Sequence, residues 1–216
     1  MMNGLSITQE KLDELRRRVG KILSEYRFCH TLGVERMAAR LARIYCPDKE
    51  LKLRAAALLH DVTKELSVDE HIAIFAHYGV EVDDLVVGAP SLLHAVTASL
   101  CLYDEYPDFA DSETVDAVRY HTTGRAEMTL SEKIIYLADY IEDNRTYDDC
   151  VYLRDAFFGA DIDGMCDAEK EEHLDRILLL SFDMTLRDLV SRNKTISSDT
   201  QQARDHLENK LKSKRG

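Results

Sequence analysis

Six side chains carry the chemistry open to this sequence: His30, His60, Asp61, His94, His121 and Asp139. Imidazoles and carboxylates are the ligand set for Zn, Fe, Mn or Ni. His60 and Asp61 close the apolar run AAALLHDV, His94 follows Leu92 and Leu93, and Asp139 lies inside IIYLADYI. His30 falls on one helical face with Val34, Met37, Ala38 and Leu41. Burying such groups is costly unless each is paired or bound to metal. A single buried histidine is ordinarily bonded to a neighbouring acid. Several, recurring on separate segments, point to one shared partner, a metal. The four remaining histidines, His71, His77, His173 and His206, sit among polar residues and are expected to be solvated.

Helices must bring these residues together. Ser6 and Gln9 read as a capping box for a helix over residues 6–25, with Leu12, Leu15, Val19, Ile22 and Leu23 on its apolar face. A second helix over 29–45 stops before Pro47. Residues 49–62 become wholly apolar, which predicts a central buried helix. Capping boxes at Ser67/Glu70 and Thr129/Glu132 start two more, and Pro90-Ser91 starts another. Short and long helices are predicted over 112–121 and 168–191, and the polar stretch beyond 197 reads as a fraying tail. Nine glycines, three prolines and no strand alternation give an all-α bundle of about seven or eight helices. The division expected is an N-terminal helix (1–24), one main domain (25–196) and a polar tail (197–216). Bundles of this kind build metal sites from inward-facing side chains on facing helices.

The net charge of −12 disfavours long nucleic acid as a partner, because phosphate backbones need basic stripes. A small nucleotide stays compatible, since a metal supplies local positive charge. Five dispersed cysteines without a CxxC pair predict reduced thiols in a cytoplasmic protein and no disulfide framework or zinc–thiolate site. The N-terminus has no apolar signal core, and no apolar run approaches the ~20 residues of a spanning helix, so no membrane is expected. A homodimer is the expectation by base rate.

The ordered set His30…His60-Asp61…His94…His121…Asp139 resembles the two-metal subset of the HD-domain superfamily of metal-dependent phosphohydrolases. The segments YRFCHTLGVERMAARLA, ALLHDVTKEL, APSLLHAVTAS, HTTGRAEM and EKIIYLADYIEDNR look like the bacterial YqeK family, over roughly residues 25–203. Members of that family cleave diadenosine tetraphosphate symmetrically to two ADP. The stretches Glu142-Asp143-Asn144-Arg145 and Asp183-Met184-Thr185 depart from the family's usual wording, outside the six ligands. The resemblance implies that His30, His60, Asp61 and Asp139 hold a first metal, that His94 and His121 hold a second, and that Asp61 bridges them. It also implies iron, where ligand type alone admits Mn, Zn or Ni.

The chemistry expected is attack of a metal-activated water on phosphorus. Asp61 is then catalytic as well as a ligand. Lys64, three residues on, is expected on the same helix face, to neutralise phosphate or serve the leaving group, where the ordinary alternative is a surface ion pair. Thr122, Thr123, Gly124 and Arg125 follow His121 directly and offer a flexible backbone and donors for phosphate, against an ordinary capping loop with Arg125 bonded to Glu127. Arg27 and Arg145 are further phosphate candidates, resting mostly on resemblance. Competing substrates within the class are deoxynucleotides, guanosine polyphosphates and cyclic dinucleotides. Outside it stand a non-catalytic nucleotide-binding module and an oxygen-activating di-iron protein; two carboxylates among six ligands disfavour the latter.

Overall fold

Three helices form the spine: α2 (Glu25–Tyr45), α3 (Glu50–Leu59) and α7 (Leu130–Ile141). Small residues explain their closeness. In α3, Ala55, Ala56 and Ala57 are buried together with Leu53, Leu58 and Leu59. Side chains that short let α2 and α7 approach from both sides. The start of α2 is tied to the turn that follows α3. Ser24 caps α2 by accepting from the Arg27 amide at 3.2 Å, while its own hydroxyl and amide donate to Glu65 at 2.5 and 2.7 Å. The Thr129/Glu132 capping box starts α7, and Ser67/Glu70 starts α4 (Val68–His77).

The computed structural model describes residues 6–81 and 88–214. Around the spine lie α1 (Gln9–Val19), α4, α5 (Leu93–Glu105), α6 (Ser112–Arg119), α8 (Asp148–Phe158), α9 (Asp167–Ser191) and α10 (Ser198–Ser213). The described residues thus hold ten α-helices, more than the seven or eight expected, and no strand. Two sources account for the surplus. In α8 the buried positions are only Cys150, Leu153 and Phe157, too sparse a pattern to stand out in the sequence. In α10 a stripe of Thr200, Ala203, Leu207 and Leu211 is buried, within a segment polar enough to read as a fraying tail. Packing against α9, rather than intrinsic propensity, holds α10.

The first helix is also shorter than expected. Thr8, not Ser6, caps α1 by accepting from the Lys11 amide, and the helix ends before Gly20. Leu12, Leu15 and Val19 are buried. Arg16 of α1 and Arg54 of α3 converge on buried Glu35 of α2, with Nε–O distances of 2.7 and 3.0 Å. No helix among the described residues is long and apolar enough to cross a membrane.

A second ionic anchor makes a prediction. Glu113 of α6 accepts from Lys49 at 2.5 Å, Lys52 at 3.0 Å and the Ser131 hydroxyl at 2.6 Å. Partial burial works to raise its carboxyl, yet these donors outweigh burial and bring it from 4.5 to about 2. A carboxyl lowered by folding stabilises the protein above its unfolded pKa, and that stability is lost as pH falls through the folded value. Glu113→Gln is therefore expected to lower Tm near neutral pH, with the gap to wild type closing as pH falls from about 4.5 toward about 2. Thermal melts across that range check it; a gap independent of pH excludes an ionic anchor.

Candidate metal centre

Each ligand candidate is delivered by the end or first turns of a helix. His30 lies in the second turn of α2, and His60-Asp61 form the turn that closes α3. His94 is the second residue of α5, His121 lies two residues beyond α6, and Asp139 is in the last turn of α7. The four histidines and Asp61 are all less than a tenth exposed.

The Asp61 carboxylate stands at the centre. Its Oδ2 lies 3.3 Å from His60 Nε2 and 3.8 Å from His30 Nε2. Its Oδ1 lies 3.2 Å from His94 Nε2 and 3.8 Å from His121 Nε2. One oxygen therefore faces one pair of imidazoles and the other oxygen faces the second pair. Asp139 Oδ1 closes the first group, 3.0 Å from His30 Nε2 and 3.8 Å from His60 Nε2. His94 and His121 bring their Nε2 atoms within 3.1 Å of one another. Two triads, His30–His60–Asp139 and His60–Asp61–His121, have donor atoms close enough to share an ion.

The outer nitrogens decide which tautomer is present. His60 Nδ1 is 2.6 Å from the Ala57 carbonyl and His121 Nδ1 is 2.7 Å from the Val118 carbonyl. A carbonyl only accepts, so each Nδ1 carries the proton and each Nε2 keeps its lone pair. His30 Nδ1 faces Glu142 Oε1 at 3.2 Å in the same way. Nε2 of His30 and of His60 are buried and have no hydrogen-bond partner among the described residues. The inward lone pair of His60 Nε2, left without a partner in an all-N/O set, fits a first-row transition metal.

The electrostatics differ from ligand to ligand. Burial presses to raise the Asp61 carboxyl, but the His60 and His94 imidazoles beside it hold it well below the carboxylate range. Asp139 is likewise held down against burial by Arg145, His30 and His60. Burial dominates at His94 and His121 and keeps both imidazoles neutral. At His30 burial is outweighed by the Asp139 and Glu142 carboxylates, which lift it to about 9.

Three cations ring the centre. Arg27 Nη1 contacts Asp61 Oδ2 at 2.8 Å, and Arg145 Nη2 contacts Asp139 Oδ1 at 2.6 Å. Lys64 Nζ sits 3.2 Å from both ring nitrogens of His94, and burial lowers its pKa. Its route differs from expectation. The helix α3 ends at Leu59, so Lys64 reaches the site from a turn, its amide donating to the Asp61 carbonyl at 2.9 Å. A cavity of about 260 Å³ holds Asp61, His94, His121 and Thr122 in its wall, and one of about 410 Å³ opens beside His30. Arg27, Lys64 and Arg145 line both.

The loop after His121 departs from expectation. Only Thr122 reaches the cavity, its hydroxyl 3.1 Å from His121 Nε2. The Thr123 hydroxyl is buried and donates to the Gly124 carbonyl. Gly124 has φ of 63°, and a Cβ there would meet Phe182 at 2.5 Å, so it serves packing. Arg125 bonds Glu132 at 2.5 Å and Asp116 at 3.2 Å and stacks on Tyr120, bracing α6 against α7 instead of facing phosphate or Glu127.

Supporting residues escaped sequence reasoning. Glu142 is 1% exposed and holds His30, and its Oε2 accepts from the Asn144 amide at 2.7 Å. Its acidity at the end of an otherwise buried ligand helix was the available signal. His71, expected in solvent, is buried, with Nδ1 2.9 Å from Thr97 Oγ1. Thr97 in turn contacts Thr63 Oγ1 at 2.9 Å, and Thr63 donates to the His94 carbonyl at 2.9 Å. This chain fixes the start of α5, and one residue on a polar face of α4 gave no hint of it.

The HD domain model matches residues 27–144. Proteins named "Bis(5'-nucleosyl)-tetraphosphatase, symmetrical" from Halalkalibacterium halodurans and Bacillus subtilis are 33% and 35% identical to this chain, each over 82% of it and 87% of the relative. The protein of that name from Staphylococcus aureus is 33% identical over 86% of this chain and 91% of its own. A crystal structure described as a predicted HD superfamily hydrolase involved in NAD metabolism, from Clostridium acetobutylicum, superposes with a TM-score of 0.79. It is 33% identical and covers 92% of this chain and 97% of that one.

Proposed function

The chain belongs to the HD-domain family, and on that premise we propose that it is a metal-dependent hydrolase cleaving diadenosine tetraphosphate symmetrically to two ADP. The observation that carries the metal chemistry is the Asp61 carboxylate, whose two oxygens each face a separate pair of Nε2 atoms. His30, His60, Asp61 and Asp139 would hold one ion, and Asp61, His94 and His121 a second. Iron is the reading from resemblance, and Mn, Zn or Ni suit the same donors. A metal in this set supplies Lewis acidity toward water and toward phosphoryl oxygens.

The chain's own residues do the rest. Water oxygen bonds to one of the two central phosphorus atoms, the bridging P–O bond breaks, and two nucleoside diphosphates leave. Arg27 and Arg145, standing over the two carboxylates, turn their remaining guanidinium donors to the phosphates. Lys64 neutralises charge as the bridging oxygen departs. Thr122 adds a hydroxyl donor at the His121 side. His60 and His121, whose Nδ1 protons are committed to carbonyls, keep their lone pairs aimed inward. Glu142 orients His30.

The main domain is assigned to residues 25–196, with α1 and α10 as flanking helices. The five cysteines, all free, suit a reducing cytoplasm, and a homodimer is proposed by base rate.

Incubation of the purified, metal-quantified protein with diadenosine tetraphosphate is expected to give ADP as sole product, with one to two metals per chain and activity lost on chelation. AMP with ATP overturns the symmetrical cleavage. Bound metal without ADP moves the substrate to deoxynucleotides, guanosine polyphosphates or cyclic dinucleotides, and a protein that binds nucleotide without turnover is a binding module. Absence of metal overturns the centre itself.

A further inference from the structure

We infer that Tyr26 and Tyr147 form a stacking subsite for one nucleobase of the substrate, an inference that rests on the hydrolysis proposed above. Tyr26, in the first turn of α2, is 75% exposed, and Tyr147, the residue before α8, is 67% exposed. Neither side chain has a hydrogen bond or an aromatic partner among the described residues. Exposed rings are common on protein surfaces, but a tyrosine ring with a free face is suited to stacking where it borders a ligand site.

Position distinguishes this pair. Tyr103 and Tyr152 are also exposed, at 54% and 59%, but line none of the cavities described. Tyr26 and Tyr147 line the same cavity of about 410 Å³, within the size range of small-molecule sites. That cavity meets the metal centre at His30, and Arg27, Lys64 and Arg145 belong to both it and the adjoining cavity. The order along the surface is therefore rings, then cations, then metal ligands. A nucleotide has the same order: base, then phosphates, then the bond to be cut. The one carboxylate in the wall, Glu142, is spent on His30 and on the Asn144 amide and so does not repel the phosphates. Stacking tolerates any base, because every base has a π face.

The test uses the metal-loaded full chain. Tyr26→Ala and Tyr147→Ala are each expected to raise KM for diadenosine tetraphosphate by about 5- to 150-fold, the span of one lost base–aromatic stack, with kcat within about twofold. Tyr26→Phe and Tyr147→Phe keep wild-type KM, since the ring alone is needed. The inhibition constant of inorganic tripolyphosphate, which has no base, stays unchanged in all four. A second readout needs no turnover: Cys29 is exposed and lines the same cavity, while Cys166 is exposed elsewhere. ADP is expected to protect Cys29 from alkylation but not Cys166, and the protection falls away in Tyr147→Ala. Unchanged KM in both alanine variants, beside a wild type that makes ADP, overturns the subsite alone. An equal weakening of tripolyphosphate overturns it as well, because the loss is then not of a base contact. A wild type that makes no ADP overturns the hydrolysis reading, and ADP protection of Cys29 then decides the subsite separately.

Discussion

Asp61→Asn lowers kcat/KM by about 10³-fold or more while the helices stay folded. The size follows from the position of the side chain. Both oxygens are engaged, one with His30 and His60 and the other with His94 and His121, and Arg27 closes on Oδ2 at 2.8 Å. His60 belongs to both triads, but among the described residues Asp61 is the one carboxylate that faces both imidazole pairs. Asparagine keeps the volume, so no cavity opens. It loses the negative charge, and its amide nitrogen turns a donor toward one of the two groups. Whichever way the amide lies, one cluster loses its acceptor. Arg27 loses its anion too, which costs stability on the order of 1–3 kcal/mol, too little to unfold a typical domain. Metal content, circular dichroism and steady-state kinetics on the same preparation separate the effects. Retention of activity within about tenfold of wild type overturns the role of Asp61.

Gly33→Ala weakens metal binding by about 10- to 100-fold, the range seen when an outer hydrogen-bond partner of a ligand is disturbed. Helix propensity alone predicts the opposite sign of stability change. Gly33 is in the middle of α2, where alanine gains about 0.5–1 kcal/mol over glycine. The structure overrules this. A Cβ at position 33 would collide with Glu142 Oε2 and lie 2.8 Å from Asn144 Nδ2. The buried Glu142 has nowhere to retreat without releasing His30 Nδ1 and the Asn144 amide. Overpacking of this kind costs about 1–3 kcal/mol, more than the propensity gain. The variant is expected to be less stable than wild type and to lose metal to a chelator at lower concentration. A rise in Tm with unchanged metal affinity overturns the role assigned to Glu142.

The residue types of the six ligand candidates, and the apolar company they keep, were legible in the sequence because burial of a polar group is a local contradiction. His60-Asp61 after AAALL and Asp139 in IIYLADYI each announce one. Helix starts at Ser67 and Thr129 were legible for a related reason: a capping box is satisfied within four residues and needs no tertiary partner.

What the sequence left open depends on which elements meet. Glu142 holding His30, 112 residues away, is a choice made by α2 and α7 packing side by side. Gly33 is needed only because Glu142 lies above it. Arg125 follows a ligand directly, yet Glu132 and Asp116 claim it, since the turn after α6 folds it back on α7. His71 sits on a face of α4 that reads as polar but is covered by α5. In α10, a sparse stripe becomes a buried face once α9 supplies the other half. Local pattern was enough for an all-helical chain and for six ligand-type side chains set among apolar neighbours. That Asp61 stands between two imidazole pairs, and which carboxylates and arginines attend them, came from helix packing, because those contacts join residues that no local period relates.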